Sequence, residues 1–200
     1  MLEMPILETN RLFVRPFVMA DLQDAHRMFD IELRDADFGS EKMDTLAERA
    51  EWLQWAALNG RQLAMLNQPP YGDRAIVLKD SGQLIGSCGF VPCLNAFEQL
   101  AVFTEGAPSS RQRLYTPEFG LFYALSPAYR RRGYTTEAVQ AMIDYAFREL
   151  HLKRILAETN YDNLASMGVM RKLGMRIEKN PLPEPPWLQV VGVLENHQTV

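Results

Sequence analysis

The stretch Phe119–Ala138, FGLFYALSPAYRRRGYTTEA, constrains this chain most. Gly120 to Leu125 is an almost continuous apolar run, as expected of a strand buried on both faces. Ser126-Pro127 breaks it. Arg130, Arg131, Arg132 and Gly133 then lead into Thr135, Thr136 and Glu137, which open an amphipathic helix with Val139, Met142, Ile143, Ala146 and Leu150 on one stripe. A strand-turn-helix junction can aim several backbone N–H groups at one point, and the helix dipole adds positive potential there. Gly133 lets an anion approach the backbone, and the arginines bring forked donors suited to phosphate. The residues alone fit two readings: a diphosphate cradle, or a surface turn carrying a solvated basic run. Neither G-x-x-x-x-G-K-[ST] nor a G-x-G-x-x-G after a strand is present.

Two hundred residues suit one domain, 1–200, with its core at about 7–195. A net charge of −4 argues against general nucleic-acid binding, because Arg130–Arg132 is too local to form a broad basic face. Two cysteines, Cys88 and Cys93, define no disulfide framework, and with three scattered histidines no metal site is expected. No secretory segment and no membrane-spanning apolar run is visible, so the expectation is a cytoplasmic protein without a membrane partner.

Leu12 and Val14 alternate with Phe13 and Arg15, as in a half-buried first strand, and Arg11 and Arg15 read as structural. Asp21 is placed to cap a helix through Leu22, Ala25, Met28 and Phe29. Ile31 to Met43 reads as a loop. Thr45-x-x-Glu48 is a capping box, starting a helix expected to stop at Asn59-Gly60. Asp73–Lys79 and Gln83–Val91 form a hairpin around Asp80-Ser81-Gly82. Cys88 reads as a small residue inside that strand rather than a nucleophile. Pro92 to Thr116 is long for a connection and reads as an insertion or flap. Arg154–Thr159 is a further strand, Tyr161–Ser166 opens a helix ending at Leu173-Gly174, and Arg176–Lys179 and Trp187–Leu194 are a final strand pair.

Three of these stretches resemble one family. Arg130-x-x-Gly133-x-Thr135 is similar to the Q/R-x-x-G-x-G/A turn of the GNAT (Gcn5-related) acetyltransferases, with Thr135 departing from the usual last Gly or Ala. Gly133-Tyr134-Thr135-Thr136-Glu137-Ala138 resembles the GYATEA of the branch that acetylates ribosomal-protein N-termini (RimJ/RimL-like). Leu7–Phe17 resembles that branch's opening, and Ile85–Phe90 its I-G-x-x-G-F strand. Ala157, Thr159, Asn163, Ser166, Val169, Lys172, Leu173 and Gly174 match its second signature, from which Met170 and Met175 depart.

The resemblance implies an α/β (α+β) fold: one mixed, mostly antiparallel sheet of about six or seven strands, splayed between the family's fourth and fifth, with about four helices. Those two strands would be Phe119–Leu125 and Arg154–Thr159. Acetyl-coenzyme A would lay its pantetheine against the backbone of Phe122, Tyr123 and Leu125. Its pyrophosphate would sit on N–H groups from Arg131 to Thr135, including Tyr134, beside Arg130 and Arg132, and Asn163 would hold the pantetheine arm or simply cap its helix. The family's first two helices wall the acceptor site, which makes Phe38, Trp52 and Trp55 wall candidates, with core packing the alternative.

The implied reaction is direct attack of an amine on the thioester. The amine must be neutral, which costs an α-amine of pKa near 8 little at pH 7.5 and a lysine near 10.4 about 4 kcal/mol. Glu118, at the mouth of the buried strand, is the candidate base, or else a solvent-facing strand-end charge. Met170 stands where many relatives carry a proton-donating tyrosine and cannot donate. Ser166 occupies the N-x-x-S position to which the N-terminal-acetylating branch assigns that task, so the resemblance implies the role there, with Tyr161 a weaker candidate. The expected activity is acetyl-coenzyme A-dependent N-acetylation of a primary amine, most simply a peptide α-amine, by a monomer or homodimer. The alternatives are a small-molecule acetylase and a non-catalytic coenzyme A sensor.

Overall fold

A computed structural model describes residues 4–35, 42–104 and 115–197. The chain gathers into two compact units, Met1–Phe90 with Tyr123–Asp144, and Val91–Phe122 with Tyr145–Val200. Among the described residues, eight strands follow the order β1 (Leu7–Glu8), β2 (Leu12–Pro16), β3 (Gly72–Leu78), β4 (Leu84–Asn95), β5 (Thr116–Leu125), β6 (Arg154–Thr159), β8 (Val190–Glu195) and β7 (Arg176–Lys179), a mixed and mostly antiparallel α/β arrangement.

In the first unit, β1 (Leu7–Glu8), β2 (Leu12–Pro16), β3 (Gly72–Leu78) and the start of β4 (Leu84–Asn95) pair antiparallel in sequence order. The end of β5 (Thr116–Leu125) lies so close to β4 that a Cβ on Gly86 would stand 2.7 Å from the Ala124 carbonyl oxygen. Helix α1 (Leu22–His26) runs on through a π-helical segment, Arg27–Glu32. Asp21 does not cap it. Its carboxylate instead receives Arg15 through two nitrogens, each 2.7 Å away, and the Val18 N–H. A 3-10 turn, Met19–Asp21, precedes the helix.

Helix α2 (Leu46–Met65) begins at the expected capping box: Glu48 N–H donates to Thr45 Oγ1 at 3.2 Å, and Thr45 N–H to Glu48 Oε2 at 3.1 Å. It does not stop at Asn59-Gly60. Gly60 stands in open space, so it weakens the helix by only about 1 kcal/mol. Asn59 spends its amide on the Tyr71 carbonyl rather than on a cap. The left-handed residue, Asn67 at φ 54°, comes after Met65. Phe17, Phe29 and Trp52 pack edge to face or tilted at the centre of this core. Arg49, fully buried, donates to Asp30 Oδ2 at 2.8 Å and lies against Phe29 and Trp52.

In the second unit β5 runs parallel to β6 (Arg154–Thr159), with Gly120 opposite Leu156. β6 pairs antiparallel with β8 (Val190–Glu195) along its whole length, and β8 with β7 (Arg176–Lys179). Gly120 is required, since a Cβ there would lie 2.1 Å from Cys93 Sγ. Phe97, Leu100, Leu156, Leu188, Val191 and Val193 form the core on one face of these strands. Helix α4 (Leu164–Lys172) supplies Met170, whose sulfur would stand 3.0 Å from a Cβ on Gly192.

β4 reaches Asn95, further than the sequence suggests, and two 3-10 turns, Phe97–Gln99 and Ala101–Phe103, follow it. The expected flap is therefore shorter at its start, and its portion 105–114 lies outside the described residues, as do residues 36–41 with Phe38.

Candidate functional site

Helix α3 (Tyr134–Arg148) starts at the expected basic turn. Arg131 and Gly133 hold left-handed backbone, φ 64° and 82°. Such an alternation can turn successive N–H groups to one side, next to the N–H groups that a helix's first turn leaves without intrahelical partners. Gly133 is exposed, and a Cβ there would meet only Arg11 Nη2 at 3.5 Å. Arg130, Arg131 and Arg132 are exposed. Arg130 Nε donates to the Leu125 carbonyl at 3.3 Å, and the Arg132 guanidinium lies 5.8 Å from the Tyr129 ring centre.

The turn is fastened from the far end of the sequence. Arg11 Nη1 donates to the Arg132 carbonyl at 3.1 Å, its Nε to Glu137 Oε2 at 2.7 Å, and its guanidinium stacks 4.2 Å from the Tyr134 ring centre. Arg11 N–H and the Thr9 hydroxyl both donate to Glu137 Oε1. Burial works against the Glu137 carboxylate, yet donation by Thr9 and Arg11 holds its carboxyl below the ordinary range. Glu137 and Thr9 were legible only as a helix-opening acid and a strand residue. No local signal joins positions so far apart.

Asn163 caps α4, its Oδ1 accepting the Ser166 N–H at 3.0 Å. Ser166 stands half-buried one turn into the helix. The Tyr161 hydroxyl donates to the Asn180 carbonyl at 2.6 Å and is committed there. Glu118, two residues before Gly120, faces Arg154, two residues before Leu156. Arg154 donates to both of its oxygens, Nε to Oε2 at 2.8 Å. That ion pair lifts Arg154 further above its already high value.

A polar network lies on the same face of β6. Asn95 Nδ2 donates to Glu158 Oε2 at 2.9 Å, and Trp187 Nε1 to Asn95 Oδ1 at 3.2 Å. Asn180 donates to the Leu188 carbonyl and to Gln99 Oε1. Burial raises the Glu158 carboxyl, against hydrogen bonds from Cys93 and Asn95 that lower it. Burial first, then the nearby Glu158, pushes the Cys93 thiol up to about 12. Cys88 is fully buried and also pushed up to about 12, so it has no thiolate to offer near neutral pH. Trp52 packs in the core, whereas Trp55 is exposed. Among the described residues no group of three His, Cys, Asp or Glu is placed to hold a metal ion, and no helix is long and apolar enough to cross a membrane.

Residues 11–176 match the model of an acetyltransferase (GNAT) domain. The chain is 42% identical over 64 residues to the uncharacterized N-acetyltransferase YnaD of Bacillus subtilis, spanning 32% of this chain and 36% of that protein. It is 29% identical to the uncharacterized N-acetyltransferase YoaA of the same organism, across 87% of this chain and 84% of that one. Its fold matches that of RimL, a ribosomal L7/L12 alpha-N-protein acetyltransferase in complex with coenzyme A, with a TM-score of 0.62, 14% identity and coverage of 94% and 96%.

Proposed function

Since the chain belongs to the GNAT acetyltransferase family and is an N-acetyltransferase, we propose that its acetyl donor is acetyl-coenzyme A and its acceptor a primary amine, most simply the α-amine of a peptide or protein. The left-handed turn at Arg131 and Gly133, locked by Arg11, carries the donor half of this reading. The turn supplies backbone N–H groups from Arg131 to Thr135, Gly133 leaves room above them, and three exposed arginines surround them. Bound there, acetyl-coenzyme A supplies an activated acetyl thioester. In this reading the backbone of Tyr123 and Leu125 offers strand-like hydrogen bonds to its pantetheine.

An α-amine supports the acceptor half. Near pH 7.5 about a third of an α-amine is already neutral, against roughly one lysine in a thousand, so a modest base suffices. In this reading the Ser166 hydroxyl donates to the departing thiolate. Thiol release from acetyl-coenzyme A tests the whole reading, with a panel of free-N-terminal peptides, N-terminally blocked peptides containing lysine, polyamines and aminoglycosides as acceptors. Preference for free N-termini supports it. Turnover only on small amines replaces the acceptor, and coenzyme A binding without turnover on any amine leaves a sensor.

A further inference from the structure

We propose that Glu158, rather than Glu118, takes the proton from the acceptor amine; this rests on the transfer reading above. The two carboxylates stand on opposite sides of one register point. Gly120 and Leu156 are opposite each other in the parallel pair β5–β6. Two residues earlier on each strand, Glu118 and Arg154 close on each other, and Arg154 occupies both Glu118 oxygens. Two residues later, on the same face by the period of a strand, stands Glu158. No arginine or lysine pairs with it among the described ion pairs. One of its oxygens takes the Asn95 amide.

The surroundings suit a proton acceptor. Burial disfavours the charged carboxylate, so a proton raises its fit to the site, and the neutral amide of Asn95 holds it in place without the charge that Arg154 gives Glu118. The titratable and charged groups facing this position are Cys93 from β4, which lies under the influence of both carboxylates, Glu118 from β5, and Arg154 from β6 itself. β8 contributes Val191 and Val193, both apolar. The network that runs from Glu158 through Asn95 reaches solvent at Trp187, which is 60% exposed.

In the step, Glu158 takes a proton from the acceptor's ammonium, the freed lone pair forms the new C–N bond to the acetyl carbonyl carbon, the C–S bond breaks, a second N–H proton passes to water, and the thiolate is protonated through the Ser166 hydroxyl, which regains its proton from water. No oxidant or reductant is needed.

Kinetics of Glu158→Gln across pH 6 to 9.5, with acetyl-coenzyme A and a peptide amine, test the assignment. General bases typically contribute ~10²–10⁴-fold. Turnover should fall at least tenfold at pH 7, coenzyme A affinity by calorimetry should stay within twofold, and the deficit should shrink as pH rises. Glu118→Gln should keep the acid limb of the wild-type profile. Cys93→Ala, which removes a hydrogen bond that favours the charged carboxylate, should move that limb to higher pH even if Glu158→Gln does not fold. Wild-type turnover and profile in Glu158→Gln, or a loss equal at every pH, overturns the assignment alone. An unshifted limb in Cys93→Ala does so too. A wild-type protein that binds coenzyme A yet acetylates no amine overturns the transfer reading and this assignment with it.

Discussion

Arg154 clasps Glu118 across β5 and β6, its Nε 2.8 Å from Oε2 and a second nitrogen on Oε1. The Arg154 guanidinium also lies 4.7 Å from the Phe103 ring centre, so the pair is seated in a partly apolar setting. Glu195 stands 3.8 Å from Arg154, too far to take Glu118's place in full. Glu118→Ala should therefore cost about 1–3 kcal/mol of stability. Urea unfolding of the variant checks this, and an unchanged midpoint would show the pair to be energetically idle.

The cradle makes a prediction about the donor. Gly133 sits at φ 82°, a conformation strained for any β-branched residue. Gly133→Val should reshape the turn and weaken coenzyme A binding at least about tenfold, or roughly 1.4 kcal/mol. Calorimetry on the folded variant reads the effect directly.

Ser166 and Tyr161 should behave differently. Ser166→Ala is expected to lower turnover by about tenfold or more with coenzyme A affinity little changed. Tyr161→Phe removes the hydroxyl bonded to the Asn180 carbonyl. It should cost stability, about 1 kcal/mol, more than rate. The reverse pattern would make Tyr161 the proton donor.

Acid stability should report the buried pair in the first unit. Burial raises the Asp30 carboxyl, but Arg49, the Met43 N–H and His26 together hold it below its ordinary value. The folded form thus binds its proton less readily than the unfolded chain. The stabilisation is complete above the unfolded carboxyl's pKa and is lost as pH falls through the folded one. Asp30→Asn should be destabilised by about 3–5 kcal/mol near neutrality, because Arg49 is left buried without a countercharge. Its midpoint of unfolding should also fall less steeply below pH 4 than the wild type's.

The elements legible in the sequence were those specified locally. The run Gly120–Leu125, the Thr45 capping box and the turn before α3 each carry their own instructions in neighbouring residues. Asn59-Gly60 misled because a glycine inside a helix costs too little to end one, and a side chain from a distant loop claimed the asparagine. Glu118 stood out in sequence as a strand-end acid. Its commitment to Arg154 depends on a parallel register between strands 36 residues apart. Glu158 sat unnoticed inside a strand for the same reason: what surrounds it comes from β4 and from a tryptophan beyond β7.

The clasp of Arg11 and Thr9 on Glu137 has a consequence for the order of events in synthesis. Arg11 and Glu137 are 126 positions apart. A ribosome must release nearly the whole first unit, and the intervening part of the second, before the turn ahead of α3 can be fastened. Contacts of such separation form late and bring a large loop-closure cost. A nascent chain of about 130 residues holds every strand of the first unit but not Glu137, and should fail to retain coenzyme A. The ability to bind the donor would mark the moment at which the N-terminal strands find their partner.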